Sequence, residues 1–382
     1  MIDSEIKFFT QSTQNESKIS PASIFTDNAI FQRETLVPIW GYSEESLNGK
    51  EICVEFKNQI KKTTIKNNQW KINLDCMFAD KNPSTLKISC QNEQIIYNNI
   101  LVGDVWFASG QSNMCFYIEY LHQSTQSVIV NDCNYPQISM FITPEKITDT
   151  EEKFTDDAMW VNPNINNICS SHFSTVGFLF AKNLFCEVDV PIGILVSAYG
   201  GTRIETWLNR NILKESQIPT YEGIPDECAY NAMIIPHIPY AFKGMIWYQG
   251  EGNSSPLEFN KYYCDYAKLM VAHYRDIFNN PSMPFYQVGL PSYNMPDADF
   301  KNIRFEQIKC DEEIKNCYSS INYDTGNPDD IHPSDKLPIG QRLADLALEH
   351  TYGIAKNNFY PYLEKVYLEN KNLILTFKTD DN

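Results

Sequence analysis

The chain has 382 residues, of which 43% are hydrophobic, and it carries a formal net charge of −17 at pH 7. That hydrophobic fraction is typical of a packed globular protein and excludes a largely disordered chain. A strongly negative surface repels phosphate groups, so we expect no nucleic acid partner. The sequence contains neither a block of basic residues nor a long unbroken apolar stretch, so we expect no membrane contact.

The eleven cysteines are scattered and form no C-x-x-C pair. This pattern predicts free thiols and argues against a zinc ribbon. The sequence begins MIDSEI and lacks the basic start and apolar run of a signal peptide. We therefore expect a cytoplasmic protein, or a secreted or periplasmic one if a leader has been removed. The pattern does not indicate an oligomeric state.

The first hundred residues divide into two parts. Residues 1–20 are polar and are interpreted as an N-terminal segment. Across residues 21–100, short apolar stretches such as VPIWGY and EICVEF recur between turn-forming residues, and several alternate with polar positions. Alternation of this kind predicts a small antiparallel, β-sandwich-like domain.

Residues 101–355 instead alternate between strand and helix patterns, which predicts a three-layer α/β/α domain with a parallel sheet. Two helices are expected at 260–278 and 338–350. Residues 356–382 contain two short strand patterns around a turn at Asn370–Lys371 and are too short for a separate β domain. Near-continuous apolar runs predict five strands buried on both faces, at 105–109, 192–198, 244–248, 285–290 and 318–323.

Polar or glycine-rich clusters follow four of these strands, and ligands bind at the carboxyl ends of strands in open α/β sheets. The first cluster contains Gln111, Ser112 and Asn113, directly after Gly110. Ser112 could present its hydroxyl to a cleft, although Met114 excludes the G-x-S-x-G motif. Taken alone, a serine in this position is more often an ordinary turn residue.

The second cluster contains Gly200 and Gly201, whose backbone N–H groups could stabilise an oxyanion. Thr202 and Glu205 have the spacing of a capping box, which predicts a helix start. Arg203 could pair with a substrate carboxylate or cap the helix. A plain strand-to-helix turn is the alternative for the whole segment.

The third and fourth clusters add amides, carboxylates and a histidine. Gln249 and Asn253 could donate side-chain hydrogen bonds to the same oxyanion, whereas Glu251 is expected to hold the loop. Asp329 lies three residues before His332, from where its carboxylate could accept a hydrogen bond from Nδ1 and leave Nε2 free to act as a base. Polar and helix-capping loops are the alternatives here.

Other reactive residue types lack a matching partner. Cys115 follows Ser112 by three residues but has no basic neighbour in the sequence, so we interpret it as a packing residue. No pair of histidines has metal-ligand spacing. We therefore expect neither a metal nor an organic cofactor.

Four segments together resemble the sialate O-acetylesterase family, which belongs to the SGNH hydrolases and is related to the acetylxylan esterases. These segments are GDVWFASGQSNM, GGTRIETW, KGMIWYQGEGN and DDIHPSDK. The resemblance implies a flavodoxin-like SGNH hydrolase domain and a serine esterase that removes O-acetyl groups from a carbohydrate, with acetylated sialic acid as the first choice. The alternatives are an acetylxylan or oligosaccharide acetylesterase and a non-catalytic carbohydrate-binding protein.

The same resemblance implies roles for individual residues. Ser112 corresponds to the nucleophile and His332 to the base. Asp329 is the first choice for the triad acid; Asp330 stays open because the family often has Asn-Asp before Ile-His-Pro. The resemblance also implies oxyanion donors at Ser112, Gly200, Gly201 and Gln249. Apart from the resemblance, candidate supporting residues are Gln111, Asn113, Glu251 and Asn253, and Arg203 is a candidate contact for a substrate carboxylate.

Overall fold

A computed structural model describes residues 17–221, 228–355 and 362–378. Most of the segment predicted at 1–20 lies outside these residues, but a first strand already begins at Ile19. The strands are β1 (Ile19–Pro21), β2 (Ile30–Gln32), β3 (Val37–Ser43), β4 (Glu51–Phe56), β5 (Gln59–Thr64), β6 (Gln69–Leu74), β7 (Asp80–Cys90), β8 (Glu93–Gly110), β9 (Ile138–Ile142), β10 (Trp160–Val161), β11 (Ile192–Ala198), β12 (Gly244–Tyr248), β13 (Phe285–Val288), β14 (Cys317–Ser320), β15 (Tyr362–Glu369) and β16 (Asn372–Lys378). The α-helices are α1 (Gln123–Val130), α2 (Thr175–Val188), α3 (Arg210–Ser216), α4 (Tyr263–Ile277), α5 (Phe300–Glu313) and α6 (Leu337–His350).

The strands of the central sheet have the order β10-β9-β11-β8-β12-β13-β14. Adjacent strands are parallel, except that β10 pairs antiparallel with β9. Every residue of β11 and β12 is buried. Such strands are covered on both faces, which explains their continuous apolar runs.

Two adjacent residues of β8 establish the three layers. The Trp106 ring packs against Phe180 of α2, whereas the Phe107 ring packs against Tyr274 of α4. Successive side chains of a strand point to opposite faces, so α2 and α4 lie on opposite sides of the sheet. Helix α6 packs beside α2 and helix α5 beside α4. The predicted three-layer α/β fold is confirmed.

Strand β8 also carries the antiparallel part of the structure. Its first half pairs with β7, β7 pairs with β4, and β4 pairs with β5. Strands β1, β3 and β6 form a separate three-stranded antiparallel sheet. The predicted boundary between residues 100 and 101 therefore lies inside a single strand. The antiparallel region and the parallel sheet share this strand rather than a linker.

The C-terminal strands β15 and β16 form an antiparallel hairpin. Its turn falls at Asn370 and Lys371, which have positive φ angles of 50° and 66°. This is the turn position predicted from the sequence.

Strand β8 ends at Gly110 with φ 140°, a backbone conformation that side chains rarely adopt. A Cβ atom there would also lie 2.1 Å from the carbonyl oxygen of Tyr248 on β12. Only glycine therefore allows β8 and β12 to end in contact immediately before Ser112.

We expect Gly110→Ala to destabilise the protein by several kcal/mol, on the order of 3, because it combines backbone strain with a clash against a neighbouring strand. Gly49→Ala is the matched control, since Gly49 also has a positive φ of 81° but has no atom within 4 Å of its Cβ position. That variant should lose only about 1 kcal/mol. Equal free energies of unfolding for the two variants in urea titrations would contradict this account.

Candidate active site

Strands β11, β8 and β12 end at the same level of the sheet. In their parallel registers, Gly110 lies opposite Ala198 of β11 on one side and Tyr248 of β12 on the other. The loops that follow these strands therefore start side by side. This brings together three of the four clusters that the sequence singles out.

The fourth cluster reaches the same place through the loop between β14 and α6. The Nε2 atom of His332 lies 2.8 Å from the Oγ atom of Ser112, and both side chains are partly buried. The Phe116 ring packs against the imidazole, with 6.1 Å between ring centroids. A hydroxyl and an imidazole at this distance have the geometry required for proton transfer.

Burial lowers the pKa of His332 below its usual 6.5, and the charge of Lys336 lowers it further, while Asp330 acts in the opposite direction. The imidazole is therefore neutral at pH 7 and able to accept a proton. Both its position beside Ser112 and its neutral state suit a group that accepts the serine proton.

The two candidate acids differ in their contacts. Asp330 accepts a hydrogen bond from the backbone N–H of His332 at 2.8 Å. Asp329 lies at the exposed corner of a turn, where its own N–H donates to Asn327 Oδ1. Neither carboxylate is hydrogen-bonded to the imidazole ring within the described part of the chain. The expected contact from Asp329 to Nδ1 is therefore absent there, and Asp330 is the carboxylate that contacts the His332 backbone.

The glycines of the second cluster lie against the serine. A Cβ atom at Gly200 would be 3.6 Å from the Cβ atom of Ser112, so the Gly200 backbone adjoins the Ser112 side chain. Gly201 follows with φ 72°. Among the described residues, none accepts a hydrogen bond from the backbone N–H groups of Ser112, Gly200 or Gly201. These groups are available to bind an anion.

The side chain of Gln249 is already engaged. It is completely buried, and its Nε2 has acceptors in Gln111 Oε1 at 3.1 Å, the Thr202 carbonyl at 3.2 Å and Asn253 Oδ1 at 2.8 Å. An amide nitrogen has two hydrogens, so none remains for an oxyanion. These contacts do not support the expectation that Gln249 donates to the oxyanion. Its amide joins three loops instead.

Asn253, the second amide considered for that role, is also occupied. Its Nδ2 donates to Glu205 Oε2 at 2.7 Å, and its Oδ1 accepts from the backbone N–H of Ile204 at 2.9 Å. It therefore links its own loop after β12 to the loop after β11.

The expected capping box is absent. The helix in this segment is a short 3-10 turn, Ile204–Trp207, without a side-chain cap. The Thr202 hydroxyl donates to the Tyr199 carbonyl, and Glu205 is completely buried.

Arg203 neutralises that buried carboxylate. Its guanidinium donates to Glu205 and to the carbonyl oxygens of Gly252 and Ser255. The Arg203 guanidinium is therefore engaged in contacts within the protein. Its position does not support the expected contact with a substrate carboxylate.

Behind Ser112, the Asn113 side chain is buried and contacts two charged residues. Its Nδ2 donates to Glu251 Oε1 at 2.6 Å and to the Ile331 carbonyl at 3.0 Å, while its Oδ1 accepts from the ammonium group of Lys336. Sequence reasoning missed Lys336. The available signal was its place at the end of DDIHPSDK, directly before an amphipathic helix.

Cys115 is excluded as a competing nucleophile. Burial and the nearby Glu145 raise the pKa of its thiol to about 12, so it stays protonated at neutral pH. In the described ranges there is no group of histidine, cysteine, aspartate or glutamate side chains that could hold a metal. Over the same residues, no helix has the length and apolar character needed to span a membrane.

Comparison with known proteins identifies the family. The model of the family described as carbohydrate esterase, sialic acid-specific acetylesterase, matches residues 102–349, a stretch that includes all four loops of the site. The chain belongs to this family. It is a carboxylic ester hydrolase that removes acetyl groups from carbohydrates.

Similar proteins and a similar solved structure support the assignment. A sialate O-acetylesterase from Homo sapiens is 27% identical over 91% of this chain and 74% of its own length. One from Rattus norvegicus is also 27% identical, over 94% of this chain and 78% of its own length. The crystal structure of a carbohydrate acetylesterase from Xanthomonas citri superimposes with a TM-score of 0.84 at 28% identity, covering 94% of this chain and 82% of that one. The sequence comparisons and the structural comparison thus indicate the same esterase family and the same α/β fold.

Proposed function

We propose that this esterase hydrolyses O-acetyl groups of sialic acid through an acetyl-enzyme on Ser112, with His332 as the general base. The observation that carries the assignment of roles is the 2.8 Å contact between Ser112 Oγ and His332 Nε2. The depressed pKa of His332 supports it, because the imidazole must be neutral to accept the serine proton.

In the first half of the reaction, Ser112 Oγ forms a bond to the acetyl carbonyl carbon while its proton moves to His332 Nε2. The carbonyl oxygen becomes an oxyanion that accepts hydrogen bonds from backbone N–H groups of Ser112, Gly200 and Gly201. The bond between this carbon and the sugar oxygen then breaks, and His332 returns the proton to the departing sugar hydroxyl.

In the second half, water attacks the acetyl carbonyl carbon and His332 takes a water proton. The bond between this carbon and Ser112 Oγ then breaks, His332 returns the proton to Ser112 Oγ, and acetic acid leaves and ionises to acetate. Because both N–H groups of the Gln249 amide have internal acceptors, we assign the oxyanion to the backbone donors. Each such donor typically contributes about 100- to 1000-fold to the rate.

Two features support sialic acid as the sugar. The similar proteins from Homo sapiens and Rattus norvegicus carry the name sialate O-acetylesterase. In addition, Arg304 offers a cation at the carboxyl edge of the sheet, beyond β13 and β14. Its guanidinium stacks over the Tyr323 ring at 5.1 Å, and its one hydrogen bond to a described residue is a 3.4 Å contact with the Pro291 carbonyl. Its other N–H groups are available to the sialic acid carboxylate.

We expect the wild-type protein to release acetate from O-acetylated sialic acid, and Ser112→Ala to lose at least about 1000-fold in rate. Acetylated xylo-oligosaccharide and an aryl acetate, measured in parallel, identify the substrate class. Faster turnover of the xylo-oligosaccharide would replace sialic acid with a neutral glycan. Full activity of Ser112→Ala would refute the nucleophile, and no release from any ester would favour a carbohydrate-binding protein.

We expect Asp330→Asn to lower kcat/KM by about tenfold or more, because it weakens the contact with the His332 backbone and removes the charge that favours the imidazolium. Asp329→Asn should stay close to wild type, since its side chain lies at an exposed corner. The two variants are matched in size and chemistry. A larger loss for Asp329→Asn would return the role of triad acid to that residue.

We expect Arg304→Met to lower kcat/KM for acetylated sialic acid by about tenfold or more and to spare an aryl acetate, because only the sugar acid has a carboxylate to bind. Arg203→Met is the matched control. It should lower the melting temperature, since it leaves Glu205 buried and unpaired, and reduce both activities by the same factor. Selective loss of sialic acid hydrolysis in Arg203→Met would reverse the two assignments.

A further inference from the structure

A buried polar cluster lies directly behind Ser112 and His332. It consists of Asn113, Glu251 and Lys336, whose exposed fractions are 1%, 6% and 0%. Charged side chains are rarely buried so completely without a functional or structural reason. The mechanism above assigns no task to Lys336.

The Asn113 amide connects the two loops that carry the reacting groups. Asn113 directly follows Ser112, and its Nδ2 donates to the carbonyl of Ile331, the residue before His332. The same Nδ2 donates to Glu251 on the loop after β12. Since a flipped amide would offer its oxygen to both acceptors, Asn113 must keep one orientation for either bond to exist.

Lys336 holds that orientation from the other side, because its ammonium group donates to Asn113 Oδ1. Only an amide oxygen, not an amide nitrogen, accepts such a bond. The ammonium also lies over two aromatic rings, 5.0 Å from the centre of Phe116 and 5.3 Å from that of Tyr248. Lys336 is thus enclosed by one amide and two ring faces.

The charges that act on Lys336 come from three carboxylates. Glu251 lies on the loop after β12, whereas Asp330 and Asp335 belong to the same loop as Lys336. Burial outweighs their effect and lowers the pKa of Lys336 to about 7. The other titratable groups beside it are His332 and the Tyr248 phenol, whose pKa burial raises well above 10.

We propose that Lys336 is a positioning residue of this esterase, which orients the Asn113 amide between the Ser112 and His332 loops and places a positive charge behind His332 that disfavours the imidazolium. The proposal rests on the roles of Ser112 and His332 given above. It has two separable parts, because a hydrogen bond sets the orientation and a charge sets the protonation of the base.

The direction of the charge effect follows from like-charge repulsion. A protonated Lys336 makes the imidazolium less favourable, so it lowers the pKa of His332. Hydrolysis requires neutral His332, and the rate therefore falls as pH drops through this pKa. Without the lysine charge, the pKa rises and the acid limb of the rate profile moves to higher pH.

Two substitutions of Lys336 separate the parts. Lys336→Met removes both the charge and the donor, whereas Lys336→Gln keeps an N–H donor for Asn113 Oδ1. The experiment measures kcat/KM for an aryl acetate from pH 5 to 9, together with circular dichroism and melting temperature. Lys243→Met is the matched control, since Lys243 also faces carboxylates, Glu34 at 3.9 Å and Asp104 at 4.0 Å, but lies at the opposite, amino end of β12.

We expect both Lys336 variants to move the acid limb upward by about 0.5 to 1 pH unit. Lys336→Met should also lose about tenfold or more in the plateau value of kcat/KM, and Lys336→Gln should recover most of that loss. Lys243→Met should keep the wild-type profile. The proposal would be overturned if the Lys336 variants fold and their kcat/KM has the same acid limb and the same plateau value as the wild-type protein.

Comparison of Ser112→Ala with the Lys336 variants separates this proposal from the proposed function. Loss of activity in Ser112→Ala together with unaltered Lys336 profiles would leave the nucleophile intact and refute only the role of Lys336. If neither Lys336 variant folds, the histidine resonances of the wild-type protein provide the test: a His332 pKa below the usual 6.5 is expected, and a value at or above it overturns the proposal.

Discussion

The buried amide of Gln249 is the interaction on which the rest of the site depends. Its nitrogen contacts Gln111 after β8, Thr202 after β11 and Asn253 in its own loop after β12. A buried amide that lost these partners would carry the full cost of desolvation, about 1–3 kcal/mol for each unsatisfied group. This one side chain therefore contacts all three loops, and Asn253 and Arg203 add further links between the loops after β11 and β12.

Asn113 plays the corresponding part for the fourth loop. Gln249 fixes the loops of Ser112 and Gly200 relative to one another, and Asn113 adds the loop of His332 through the Ile331 carbonyl. The reacting groups themselves make few direct contacts. Their positions result from a scaffold of buried amides at the ends of parallel strands, a form of preorganisation that costs nothing during the reaction.

Most of the fold could be predicted from the sequence because parallel strands covered on both faces leave a plain apolar signature. The runs at 192–198 and 244–248 coincide with β11 and β12, and the pattern at 338–350 matches α6 to within one residue. The predicted boundary at residue 100 falls inside a strand. Strand β8 changes from a half-exposed to a fully buried environment without interruption, so the sequence pattern changes there although the strand continues.

The candidate site also contains residues that could be predicted from the sequence and residues that could not. Ser112 and His332 could be singled out from motifs, since each motif follows a predicted strand. The expectations for Gln249, Arg203 and the capping box came from the resemblance, from charge and from local spacing, none of which reveals partners on other loops. Those partners engage Gln249, Arg203 and Glu205. Lys336 was missed because lysine is normally a surface residue, and its complete burial depends on Phe116 and Tyr248, which are far from it in sequence.

The central claim is that the acetyl group passes through Ser112. Its most direct test is rapid acid quenching of the protein during turnover of a substrate labelled in the acetyl group, followed by peptide mass mapping. The account predicts that the label is bound covalently to Ser112 and that it is absent in Ser112→Ala. Label on another residue, or steady acetate release with no covalent label at any quench time, would contradict it.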